Sequence, residues 1–160
     1  MRKSLAERIA FLALSAALAA GAWAVTDRAA YPVTEPYRFP VRPGTTEWEA
    51  LSETGLARNA CRMPAGLAEQ MTSEALLETA LDYPYVIDLL AYGNPVQGFW
   101  SNARYNDALA ELVVRRDAAA VVESELEKLP PLDEITGSET MIRWYLLSAF
   151  SQGLEHPPET

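Results

Sequence analysis

Proline sets the grain of this 160-residue chain. Pro64, Pro84, Pro95 and the pair Pro130-Pro131 each end or restart a helix, because the ring fixes φ and removes a backbone donor that a helix interior needs. The stretches between them are short. They hold apolar residues at helical spacing and no convincing alternation of polar and apolar residues, so nothing specifies a sheet. The sequence therefore predicts an all-α fold: a compact bundle of about six short helices over residues 45–152, with a frayed tail at 153–160.

Local signals place those helices. Thr46 is expected to cap a first turn, and Ser52 a helix carrying Leu56, Ala60 and Cys61. Pro64 suits the first turn of a brief helix with Leu67, and Thr72 caps one whose Leu76, Leu77, Ala80 and Leu81 share a face. Tyr85–Tyr92 is apolar nearly all round and is expected to be a central helix, stopped at Gly93-Asn94-Pro95 with the glycine in the left-handed conformation. Residues 97–116, with Tyr105, Leu109, Leu112 and Val113, give the longest amphipathic helix. Asp117 is expected to cap a helix with Val121, Val122, Leu126 and Leu129. A last helix follows Ser138 and carries Met141, Ile142, Trp144, Leu147 and Phe150.

The N-terminus has a different grammar. Arg2, Lys3 and Arg8 lead into an uncharged run from Ile9 to Trp23, shorter than the roughly 20 residues a membrane-spanning helix needs, and Ala22-Trp23-Ala24 supplies small residues at alternate positions. Residues 1–24 read as a signal peptide cleaved after Ala24, an uncleaved anchor being the alternative. The product would be secreted or otherwise extracytoplasmic, with no stable membrane insertion after cleavage. Loss of Arg2, Lys3, Arg8 and Glu7 shifts the formal charge from -9 to -11. Such acidity argues against a nucleic-acid partner, whose phosphates are held by Lys and Arg. Residues 25–44 contain Pro32, Pro36, Pro40 and Pro43 and read as a stiff linker or arm, chiefly a spacer, although Tyr31, Tyr37 and Phe39 could pack back on the domain. The single cysteine, Cys61, would be a buried thiol or an intermolecular link.

The run Met71-Thr72-Ser73-Glu74-Ala75-Leu76-Leu77-Glu78-Thr79-Ala80-Leu81-Asp82-Tyr83-Pro84, followed by Ile87-Asp88, resembles a group of exported bacterial proteins of unknown function that carry a Met-Thr-Thr-x-x-Leu-x-x-x-x-Leu-x-Tyr-Pro-x-x-x-Asp pattern. Trp48 and Cys61 with Met63-Pro64 extend the likeness upstream; Gly98-Phe99, Asn106, Leu109, Glu111-Leu112 and Arg116-Asp117-Ala118 extend it downstream. It covers about residues 45–150, with Met63 where isoleucine is usual and Ser73 where threonine is usual. The resemblance implies an exported all-α domain and no activity.

Candidate chemistry is sparse. Asp88 falls inside the most apolar helix, where an ionised carboxylate needs a partner; Arg104, Asn106 or a capping amide are the candidates, in a structural bond or at a ligand site. Glu78 and Asp82, four apart, could aim two carboxylates at one substrate but suit a solvated acidic face. Among the aromatics Trp48, Tyr83, Tyr85, Tyr92, Trp100 and Tyr105, most are expected in the core. Tyr92 and Trp100 join Asp88 as candidate binding residues because amphipathic rings often line ligand surfaces. Arg115-Arg116 reads as a helix end, where cations meet the negative end of the dipole. One histidine, His156, gives no triad or zinc set, and no metal or cofactor is expected. The sequence thus favours an exported, non-catalytic binding or interaction module, with an extracellular protein or cell-wall glycan as partner. The alternative is an envelope-directed hydrolase using acidic residues.

Overall fold

The computed structural model describes residues 31–51 and 54–157. The chain divides between Pro32 and Val33, and the fold below is that of the unit beginning at Val33. The signal segment expected over residues 1–24 and the expected Ser52 cap lie outside the described residues. Within them are seven α-helices: α1 (Thr46–Ala50), α2 (Thr54–Ala60), α3 (Ser73–Leu81), α4 (Pro95–Ala103), α5 (Asp107–Leu112), α6 (Ala118–Glu127) and α7 (Ser138–Glu155). Short 3-10 turns lie at Ala68–Gln70, Val86–Ala91 and Leu132–Glu134. Among the described residues there is no strand, only an isolated parallel bridge between Val33 and Met71. The fold is an all-α bundle.

Helix α3 sits at its centre. Thr72 Oγ1 accepts from the Ala75 amide at 3.3 Å, which satisfies a first-turn donor and starts the helix where the sequence placed it. Ala75, Leu76, Leu77 and Ala80 are buried, and α5 and α6 pack over them. Helix α7 closes the other side, packing on α4, α6 and the Val86–Ala91 turn.

The helix expected over 97–116 is two helices. Asn106 makes the corner: its Oδ1 accepts from the Leu109 amide at 3.2 Å, while its Nδ2 donates to Ala80 O at 3.0 Å and to Asn102 Oδ1 at 3.2 Å. Asn102 in turn donates to Tyr85 O at 3.0 Å. A side-chain amide that offers the backbone bonds of its own competes with helix continuation, and here it wins. Tyr105, at the corner, is consequently exposed rather than on a core face. Among the described residues the longest helix is instead α7, with 18 residues. It runs past 152 to Glu155, and Gly153 within it packs so closely on Phe99 that any Cβ would overlap that side chain.

From Val33 onward the proline-rich arm is docked rather than serving as a spacer. Val33 N donates to Gln70 O at 3.0 Å and Thr72 N to Val33 O at 2.9 Å; Tyr37 N donates to Thr79 Oγ1 at 2.9 Å. Phe39 is buried, its ring edge-on to Tyr83 at 5.6 Å, and Arg42 pairs with Asp82. An aromatic ring removed from water outweighs the spacing role that the prolines alone suggest.

Three caps differ in detail. Thr45 rather than Thr46 caps α1, accepting from Trp48 N at 3.2 Å. Asp117 stands at the start of α6 but accepts from Ser73 Oγ at 2.6 Å, tying α6 to α3 instead of capping. Tyr92 is extended and Asn94 caps α4 with Pro95 at its first turn, so Gly93 needs no left-handed conformation. Among the described residues the left-handed glycines are Gly44 and Gly66. Pro64 leads not into a helix with Leu67 but into a turn closed by Gly66, ahead of the 3-10 turn Ala68–Gln70.

Candidate ligand cleft

Six residues apolar on nearly every side cannot all be covered. The segment Val86–Ala91 folds as a 3-10 turn with Val86 and Leu89 inward, and Gly98 of α4 approaches the Leu89 carbonyl so closely that a Cβ would collide with it. That contact, together with α7, fills the inner side of the turn. Ile87, Leu90 and Tyr92 are left 46%, 39% and 41% exposed, so the expected central helix is a half-exposed edge of the bundle.

Across from this edge stand Trp144 and Tyr145 of α7, ring centroids 5.5 Å apart and planes at 89°. Between the two edges lies a cleft of about 270 Å³, with Leu90, Tyr92 and Pro95 on one wall and Trp144, Tyr145 and Gln152 on the other. Ser148 and Ala149 line it further along α7. Sequence reading put Trp144 in the apolar core set and passed over Tyr145 and Gln152. The available signal was that α7 carries large apolar residues on two faces: Leu147 and Phe150 are fully buried, whereas Ile142 and Tyr145 are exposed.

The three candidate residues do not converge. Only Tyr92 lines the cleft. The Asp88 side chain is 45% exposed, and its Oδ2 accepts from Arg58 Nη2 at 2.6 Å. The partner is thus on α2, and neither Arg104 nor Asn106 fills that role; no local spacing announces a residue thirty positions away. The Arg58 guanidinium lies 4.2 Å from the Tyr85 ring centroid and 5.2 Å from that of Tyr105. Trp100 packs edge-on against Phe99 at 5.1 Å and donates its Nε1 to His156 O at 3.0 Å, bracing the end of α7.

Glu78 and Asp82 are not a solvated pair. Glu78 bonds Arg143 of α7, and Asp82 bonds Arg42 of the arm with Arg38 at 3.6 Å. Arg143 also reaches Glu125 at 3.2 Å. The bonded Lys128, helped by Arg143, holds the Glu125 carboxyl below its usual range. Arg115 is more than a helix end: it bonds Glu111 at 2.8 Å and the Ala68 and Glu69 carbonyls at 3.3 Å. A second cleft, about 440 Å³, includes Arg62, Gly66, Glu69, Asp107 and Glu111, but Asp107 already accepts from Arg62 and from Met63 N.

Cys61 is buried, as one of its two readings had it, and burial pushes its thiol up while the charge of Arg58 partly opposes. A thiol kept protonated is a poor nucleophile. Tyr83 is 1% exposed, and its hydroxyl makes no hydrogen bond among the described residues. Desolvation pushes its pKa up to about 12, with nearby Arg58 pulling the other way. Among the described residues no three of His, Cys, Asp or Glu converge to hold a metal, and no helix is long and apolar enough to cross a membrane. No family model, no curated protein and no solved structure matches the chain.

Proposed function

We propose that the chain is an exported, non-catalytic binding module that takes its ligand in the cleft between the Val86–Ala91 edge and α7. The observation that carries this reading is a concave site walled by Tyr92 and Tyr145, both more than 40% exposed, with Trp144 beside them. Large rings left open to water in a concavity are the usual equipment for binding, since they offer much apolar area at little side-chain entropy. The hydrolase reading needs Asp88 beside a second carboxylate in a deep pocket. Asp88 instead neutralises Arg58 at the surface, and nothing favours that reading. Export rests on the basic start, the apolar run and Ala22-Trp23-Ala24. The resemblance to exported helical proteins points the same way.

A fragment screen read by backbone amide shifts tests the site. Hits are expected to perturb Tyr92, Trp144, Tyr145 and Gln152; hits that cluster elsewhere, or none, overturn the assignment. N-terminal sequencing of secreted material is expected to start at Val25, and recovery of intact Met1-containing chain in membranes overturns the cleavage.

A further inference from the structure

We infer that the cleft takes a neutral sugar ring of a glycan, an inference that rests on the binding reading above and narrows it to a ligand class. Charge is the first constraint. None of the lining residues is Asp, Glu, Lys, Arg or His, in a chain whose formal charge is -9. An anionic ligand would meet the field of an acidic protein with no local cation to hold it, and a cationic one would find no carboxylate in the cleft. A lining without formal charge on either side suits an uncharged ligand, which leaves no ion without a counter-ion.

The second constraint separates sugars from apolar side chains. Ser148 and Gln152 stand one helical turn apart on α7 and both line the cleft, Ser148 half-buried and Gln152 exposed to water. An apolar side chain seated there would cover a hydroxyl and an amide without replacing their bonds to water, which is the costly outcome for a polar group. A pyranose does both jobs. Its C–H face lies on an aromatic ring while its hydroxyls exchange bonds with Ser148 and Gln152, the amide both donating and accepting. Trp144 and Tyr145 both line the cleft, with their ring planes at 89° to one another.

Calorimetric titration of the full chain with cellotetraose and with the neutral N-acetylglucosamine tetramer tests this, with a neutral Leu/Phe-rich peptide as the competing probe. Saturable binding of a tetrasaccharide is expected, weakened about tenfold or more by Tyr145→Ala and by Gln152→Ala at unchanged melting temperature. Binding of the peptide in place of both sugars, lost in Tyr145→Ala, overturns the glycan assignment while leaving a binding cleft. Sugar binding indifferent to both substitutions also overturns it. Binding of none of the three overturns the glycan assignment; whether the binding reading falls with it is decided by the fragment screen.

Discussion

Helix α3 and the Val86–Ala91 turn are both strongly apolar segments, five residues apart in sequence, yet one is the centre of the bundle and the other its edge. In α3 the large residues Leu76 and Leu77 share a side with Ala75 and Ala80, while Glu74 and Glu78 take the other, so neighbours can close over one face completely. In the turn, apolar residues point in all directions. Only the side carrying Val86 and Leu89 can be covered by α4 and α7, and the surplus becomes one wall of a cleft. Hydrophobicity alone thus does not specify a core; it must come in a pattern that neighbours can cover.

Truncation sharpens the comparison most directly. Leu76→Ala, at a fully buried site, is expected to cost about 4 kcal/mol through lost burial and the cavity left behind, and Leu90→Ala less than about 1 kcal/mol. Chemical denaturation measures both; equal losses would break the distinction between centre and edge.

The next effect concerns what joins the two regions. Asn106 ties the end of α3 to the α4–α5 corner, and Asn106→Ala removes a cap and leaves the Ala80 carbonyl without that donor, at an expected cost of about 3 kcal/mol. A midpoint within error of wild type would show that the corner holds without its amide.

Tyr83, between α3 and the turn, gives a pH signature. Its unfolded form ionises near 10.0 and its folded form near 12, so between these values the unfolded state has shed the proton first and stability falls as pH rises. The contribution, at most about 3 kcal/mol, is complete below pH 10 and lost through pH 12. In Tyr83→Phe that alkaline slope is expected to flatten, with neutral-pH stability equal to or above wild type because the lost hydroxyl had no hydrogen bond. An unchanged slope from pH 10 to 12 overturns the assignment.

The smallest effect is at Asp88. Buried, it would cost several kcal/mol to truncate; as a half-exposed ion pair, Asp88→Ala is expected to cost less than about 1 kcal/mol, and less still in high salt. A large, salt-insensitive loss would restore the buried reading.

The helical class, the Thr72 start, the break at Gly93-Asn94-Pro95 and the buried face of α3 were legible in the sequence, because caps, proline and periodicity act within a turn or two of chain. The arm was half legible: Tyr37 and Phe39 announced apolar area, but the Thr79 hydroxyl and Asp82 that receive the arm lie 40 and more residues on. Of the candidate residues only Tyr92 reached the cleft. The other wall, Trp144, Tyr145 and Gln152, is more than fifty residues away, on a helix whose two apolar faces look alike until one is covered.

What the sequence determined by itself was therefore local: where helices begin and end, and which stretches are apolar enough to need cover. Tertiary structure decided which of those stretches received it. Arg58 found Asp88, Arg143 found Glu78, and α7 met the Val86–Ala91 edge through contacts that no spacing along the chain encodes. The physical reason is that caps and periodicity are set by neighbours within one turn, whereas burial and charge pairing are set by whatever the packed chain brings alongside.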